Sequence, residues 1–174
     1  MLGFTALQAR AATHFHHGED GMAYWLLKTE PNVFSLDDLK AVEKEPWDGV
    51  RNYQARNFMR DEMKPGDKVL IYHSRVQPIG IVGEAEIVSE PYPDPTQFNP
   101  EEKYYDAKAK PENPRWFVVD VQYRRTYDQV LELAALKKTP GLENMVLTQK
   151  GSRLSVQPVR AEEWAVIQQL AGLA

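Results

Sequence analysis

Apolar and polar positions along this chain change period several times, and each change marks an element. Tyr24-Trp25-Leu26-Leu27-Lys28 is a short apolar run closed by Pro31, the pattern of a buried strand. Ser35-Leu36-Asp37-Asp38 starts a helix, because a serine hydroxyl caps free N–H groups and the acids complement the N-terminal dipole. That helix sets Leu36, Leu39 and Val42 on one side and ends before Pro46. Trp47-Asp48-Gly49 is a turn, with Gly49 free to take positive φ. Residues 50–61 have the pattern of a second, amphipathic helix. Pro65-Gly66-Asp67 turns the chain into a strand at Lys68–His73, and residues 79–88 supply its antiparallel partner. Six of the 12 prolines fall within residues 91–114, a long loop flanked by strand signals and therefore internal to one domain. From Trp116 to Tyr123 the pattern alternates, with Phe117, Val119, Val121 and Tyr123 on one face and Asp120 and Gln122 on the other. A helix over 129–137, a turn at Pro140-Gly141, a strand over 154–159 and a closing helix over 161–170 complete the chain. The order β-α-α-β-β-β-α-β-α predicts an α+β domain around a curved, mostly antiparallel sheet.

Residues 1–21 show no sustained period and are expected to be a disordered extension, a mis-assigned start or a processed leader, preceding a domain at 22–174. His14, His16 and His17 fall there as incidental histidines of a tail, not as a metal site. The whole chain, 174 residues, is the length of one domain. The lack of cysteine excludes disulfides, thiolate metal sites and cysteine nucleophiles, and fits a reducing compartment. No segment approaches the ~18 apolar residues of a membrane span. The net charge of −4 argues against tight non-specific DNA binding but leaves room for a narrow basic cleft. No phosphate-cradling glycine loop, dinucleotide fingerprint or metal-ligand spacing is present, so neither a metal nor a cofactor is expected.

Chemistry concentrates in a few places. On a helix, Asn52, Arg56 and Arg60 form one polar stripe, with Gln54 and Asn57 adding amides that can read a base edge. Arginine can grip phosphate bidentately or stack on a base. Trp47 lies in a turn beside this stripe, where it could offer a flat platform. The same pattern also describes a solvated helix face beside a core tryptophan. Lys28-Thr29-Glu30 ends the first strand, either as an activated lysine with polar neighbours or as polar hooks at a pocket mouth. Tyr72-His73-Ser74 ends another strand and invites a general-base reading for His73. Arg153, Ser155 and Gln157 alternate with Leu154 and Val156 on a half-exposed strand.

Taken together, YWLLKTEP, FSLDDL, WDGVRNYQARNFMR, GDKVLIYHS, GIVGEAEIV, YPDPTQFNP, YYDAK, PRWFVVDV and GSRLSVQPV closely resemble the EVE domain family, from Met22 to the C-terminus. The resemblance implies a PUA-like fold, a small curved β-barrel flanked by helices, akin to the YTH domain. It implies a reader of a modified base, a modified cytosine or adenine in DNA or RNA. Lys28 and Thr29 match the strand-end pair beside the pocket, with threonine where serine is usual. Trp47 matches a pocket tryptophan. Asn52, Tyr53, Gln54, Arg56 and Asn57 match the adjoining signature, Tyr72, His73 and Ser74 the YHS, and Arg153, Ser155 and Gln157 the SRLSVQP.

The expected function is thus a monomeric binding module without chemistry. A flipped modified base would stack on Trp47, with Glu30 among the polar groups at the mouth and Arg51, Arg56 or Arg153 on phosphate. The expected location is the cytoplasm, or the nucleus for a eukaryotic chain, with the cytoplasm preferred. The alternative is a small amidohydrolase acting on a modified nucleoside, as in ASCH-type relatives that use lysine, threonine and glutamate. Consecutive strand residues point to opposite faces, so Lys28, Thr29 and Glu30 converge only if the strand ends there, and Glu84 or Glu86 could supply the acid instead. A protein-interaction scaffold, with the polar stripe on a peptide, is a third reading that no residue singles out.

Overall fold

The computed structural model describes residues 21–174; the expectations placed on the preceding residues lie outside them. Eight strands and four α-helices follow one another in chain order: β1 (Tyr24–Thr29), α1 (Leu36–Val42), β2 (Lys44–Pro46), α2 (Tyr53–Asn57), β3 (Lys68–His73), β4 (Gly80–Ile87), β5 (Tyr92–Pro93), β6 (Phe117–Val118), β7 (Asp120–Glu132), α3 (Leu133–Leu136), β8 (Val156–Val159) and α4 (Ala161–Leu170). Six strands form one curved sheet in the order β2-β7-β4-β3-β1-β8, open at β2 and β8, while β5 and β6 pair separately. Only β1 and β3 run parallel, from Tyr24↔Lys68 to Thr29↔His73. A parallel pair needs a crossover, and residues 30–67 supply it. The result is the α+β architecture expected, an open half-barrel flanked by helices.

The run Trp25-Leu26-Leu27 is apolar without interruption because both faces of β1 are covered. Trp25 and Leu27 join α1, Val50, Ala55, Met59 and Ile71 in one core. Leu26 joins Leu70, Ile81, Leu142, Met145, Trp164 and Ile167 in the other. Buried Asp67 ties the start of β1 to the turn before β3, accepting from the Ala23 and Lys64 N–H groups and from Trp25 Nε1. The Ser35 cap forms as a capping box: its hydroxyl accepts from Asp38 N–H and the Asp38 carboxylate accepts from Ser35 N–H.

Four elements differ from the sequence pattern. The helix expected up to Pro46 stops at Val42, and Lys44–Pro46 becomes an edge strand on β7. The second helix covers only Tyr53–Asn57 before a π-helical turn over Phe58–Glu62. The strand expected from Trp116 to Tyr123 breaks between Val118 and Asp120, and β7 then runs to Glu132, so the helix expected at 129–137 shrinks to Leu133–Leu136. Irregularities against β4 at Ile81/Gly83 and Glu84/Ala85 shift the alternation of β7 and mask its period of two.

The proline-rich loop is ordered by two buried side chains. Gln97 satisfies all four of its hydrogen-bonding sites, donating to the Asp94 and Trp116 carbonyls and accepting from the Arg115 and Trp116 N–H groups. Asp94, fully buried, accepts from Gly49 N–H, Arg51 Nη1 and the Thr96 N–H and hydroxyl. The loop is thereby clamped to the crossover that follows β2.

Candidate functional site

At the C-terminal end of β1 lies a cavity of about 470 Å³, within the roughly 300–1,000 Å³ common for small-ligand sites. The strand end supplies Lys28, Thr29 and Glu30, the crossover supplies Val33, Phe34 and residues 45–52, the proline-rich loop supplies Lys103 and Tyr104, and Ser155 precedes β8. Antiparallel pairing of β1 with β8 places Ser155 here, its carbonyl accepting from Lys28 N–H at 2.9 Å. Gly49 takes φ +77°, as its turn position predicts, and a Cβ there would lie 2.6 Å from the Tyr104 ring. This close approach lets the proline-rich loop close over the turn.

Trp47 is only 8% exposed. It packs edge-to-face on Phe34, with ring centroids 6.2 Å apart, and belongs to the main core while also lining the cavity. Its backbone N–H donates to the Val119 carbonyl. The sequence left a platform and a core tryptophan as alternatives; the turn is packed against the sheet, so Trp47 is at once cavity wall and core.

Of the other sequence-derived candidates, Lys28, Thr29, Glu30, Asn52 and Ser155 line the cavity. Their polar ends are largely committed elsewhere. The Lys28 ammonium sits over the Tyr72 ring at 5.5 Å, and burial pushes its pKa down. Thr29 donates to the Phe34 carbonyl at 2.6 Å, and Glu30 pairs with Arg75 at 3.0 Å. These three side chains face different partners and form no convergent catalytic group. Glu84 is held by Tyr127 and Gln168, and Glu86 by Arg124, and neither lines the cavity. Asn52 caps α2 by accepting from Ala55 N–H.

Tyr53, Gln54, Arg56, Asn57, Tyr72, His73, Ser74, Arg153 and Gln157 do not line the cavity. Tyr53 stacks on Trp116 at 4.9 Å, with the Arg56 guanidinium 4.8 Å above Tyr53. Arg56 also donates to Asn57 and to the Arg115 carbonyl. Tyr72 is buried in the second core, and Ser74 N–H donates to the Thr29 carbonyl. Gln157 is buried and donates to Ser152 and Leu154, while Arg153 is exposed on the loop before Ser155.

Arg51 corrects another expectation. Its guanidinium donates to the Tyr104 and Val50 carbonyls, Asp94 and Thr96, so all five N–H groups are engaged within the protein. It is a clamp, not a phosphate ligand. Lys103, Tyr104, Phe34, Glu45 and Asp48 are among the lining residues that had not been singled out as site residues. Residues 103 and 104 sit some fifty positions from the turn they meet, and no local pattern reports that meeting. Burial raises the pKa of Asp48, reinforced by Asp94 and partly offset by Arg51. Burial likewise raises that of Glu45, with Asp48 and Asp120 adding to it.

His73 is a structural acceptor. Its Nε2 receives the Leu36 N–H at 3.1 Å, tying the end of β3 to the start of α1, so the neutral ring carries its proton on Nδ1. Burial depresses its pKa, against an opposing pull from Asp37. A folded pKa below the unfolded one means that the unfolded chain binds the proton first as pH falls. Stability is therefore expected to drop as pH falls below about 6.5 toward the depressed value. Melting temperatures between pH 7 and 5 should show this slope, and His73→Gln, which keeps an acceptor but does not titrate, should flatten it.

A curved half-barrel with a cleft of mixed aromatic and charged lining at its parallel strand pair defines a small α+β pocket domain. The chain belongs to the EVE domain family, whose model matches residues 23–170. Human Thymocyte nuclear protein 1 is 45% identical over 161 residues, covering 82% of this chain and 71% of the relative. A protein from Pseudomonas syringae is 50% identical with a TM-score of 0.83, covering 86% of this chain and 99% of that one. Human THYN1, in a crystal structure with DNA containing 5-methylcytosine, is 42% identical with a TM-score of 0.79, covering 85% and 96%. The preference for a cytoplasmic location is corrected by these relatives: vertebrate members bear the name Thymocyte nuclear protein 1, which points to the nucleus. Among the described residues no helix is long and apolar enough to cross a membrane, and no three His, Asp or Glu side chains are grouped to hold a metal ion.

Proposed function

We propose that this protein binds nucleic acid and takes a single modified base, of the 5-methylcytosine class, into the cavity beside Trp47. The supporting observation is the cavity itself, walled by Trp47, Phe34 and Val50 in a fold shared with human THYN1, which has been crystallised with 5-methylcytosine-containing DNA. A base extruded from the strand gains about 1–3 kcal/mol by stacking on an aromatic face. A methyl group seated in an apolar slot adds ~1–3 kcal/mol of discrimination. One chain supplies the whole cavity, so a monomer suffices. The divergent commitments of Lys28, Thr29 and Glu30 favour binding over hydrolysis.

Phosphate contact falls to two exposed cations, Lys103, which lines the cavity, and Arg153, two residues before the lining Ser155. Arg60 is paired with Asp61 at 2.7 Å and Arg51 is internal, so few charges remain for the backbone. Binding of unmodified oligonucleotides is expected to be weak, with a salt slope corresponding to roughly two or three phosphates. Titrations of unmodified and singly methylated strands across salt concentrations check this. A slope equivalent to about eight or more released ions would contradict a narrow cleft.

A further inference from the structure

The residue after Trp47 is a carboxylate on the same cavity wall. Asp48 makes no hydrogen bond or ion pair through its side chain with another described side chain, whereas Glu30 is paired with Arg75 and Asp94 with Arg51. Beside it, the N–H groups of Val50 and Arg51 have no hydrogen-bond partner among the described residues, and both residues line the cavity. The residues that follow the tryptophan along this wall thus leave one carboxylate and two backbone N–H groups unengaged by other described residues.

Resting on the base-pocket reading above, we propose that Asp48 determines which base is accepted, by receiving the exocyclic amino hydrogens of a 4-aminopyrimidine. Cytosine and its 5-methyl derivative present an N4 amino donor beside the N3 and O2 acceptors. A carboxylate accepts from N4, and backbone N–H groups answer the acceptors. Thymine carries the same 5-methyl group and nearly the same shape, but O4 replaces the amino group and N3 bears a proton. Its O4 would face the Asp48 carboxylate, acceptor against acceptor. A polar site built for a donor rejects an isostere lacking it far more strongly than an apolar pocket does. Shape at Trp47 would therefore admit both 5-methyl bases, and Asp48 would separate them. Burial raises the Asp48 pKa and Asp94 adds to this, while Arg51 and the residue's own backbone N–H pull it down; the residue is exposed at the cavity wall, within reach of an incoming donor.

The test uses single-stranded oligonucleotides of one sequence carrying 5-methylcytosine, thymine or N6-methyladenine at the central position, so that pairing does not differ. The full chain should bind the 5-methylcytosine strand at least tenfold more tightly than the thymine strand, and more tightly than the methyladenine strand. Asp48→Asn can donate to O4 and accept from N3–H, and should bring the cytosine-to-thymine ratio close to one or invert it. Melting curves establish that the variant is folded. Equal wild-type affinity for the cytosine and thymine strands, a preference for methyladenine, or an unchanged ratio in Asp48→Asn would overturn the proposal. So would loss of the ratio in Glu45→Gln with retention in Asp48→Asn, which would move the role to Glu45. Trp47→Phe separates the two levels of inference. Binding that responds to Trp47 but not to Asp48 removes only the role of Asp48; binding indifferent to both removes the base pocket as well.

Discussion

Trp47→Ala is expected to abolish preference for a methylated strand and to destabilise the protein. The indole is buried in the main core against Phe34 and at the same time lines the cavity. Removing a buried tryptophan costs about 3–5 kcal/mol, a large share of the ~5–15 kcal/mol that holds a domain together. For a domain of this length that corresponds to a fall in melting temperature of roughly 6–20 °C. Trp47→Phe keeps much of the core contact and offers a smaller face, so it should melt closer to wild type. Its affinity for the methylated strand should still fall about tenfold, in keeping with a partial loss of the ~1–3 kcal/mol of stacking. Paired melting and binding measurements on both variants separate wall from core. A folded Trp47→Phe with unchanged affinity would return the residue to a purely structural role.

The second large effect belongs to Asp94. Its carboxylate is fully buried and joins the turn at Gly49, the Arg51 guanidinium and the start of the proline-rich loop. Asp94→Ala leaves a largely buried guanidinium without its counter-charge and two N–H groups without acceptors. Breaking such a pair costs about 3–5 kcal/mol, and Lys103 and Tyr104 should lose their place over the cavity, so binding fails with stability. Burial alone would raise the Asp94 pKa, but hydrogen bonds from Thr96, Gly49 and Arg51 outweigh it and hold the pKa below the ordinary value. With the folded pKa below the unfolded one, the contribution is present above the ordinary aspartate range and is lost as pH falls through the folded value. Acid melts of wild type and Asp94→Asn should therefore converge below about pH 4, and hydrogen exchange over residues 94–116 reports the loop directly.

The strands that carry the core were legible because apolar runs bounded by proline and glycine report burial locally. Tyr24–Lys28, Lys68–His73 and the closing helix with Trp164 and Ile167 appear where their patterns put them. The long arm of β7 was not legible, because bulges against β4 let Tyr127, Val130 and Leu131 fall at spacings that resemble a helix. The edge strand Lys44–Pro46 offers three residues of charge and proline and no alternation at all. At the site, the strand end at Lys28 and the turn at Trp47 were visible as local punctuation. The commitment of Arg51 was not, since its partners Asp94, Thr96 and Tyr104 lie more than forty residues away. His73 illustrates the same point from the other side: its residue type suggested acid–base chemistry, and its fixed acceptor bond to Leu36 N–H gives it a structural one.

The base pocket is tested most directly by competition between two oligonucleotides identical except for one 5-methylcytosine, measured against the wild-type chain and Trp47→Phe at a single salt concentration. The methylated strand is expected to win against wild type by about ten- to a hundredfold, in keeping with ~1–3 kcal/mol from a seated methyl group. Against Trp47→Phe that advantage should shrink. Equal affinity of wild type for both strands, or an advantage untouched by the loss of Trp47, would contradict a modified base held in this cavity.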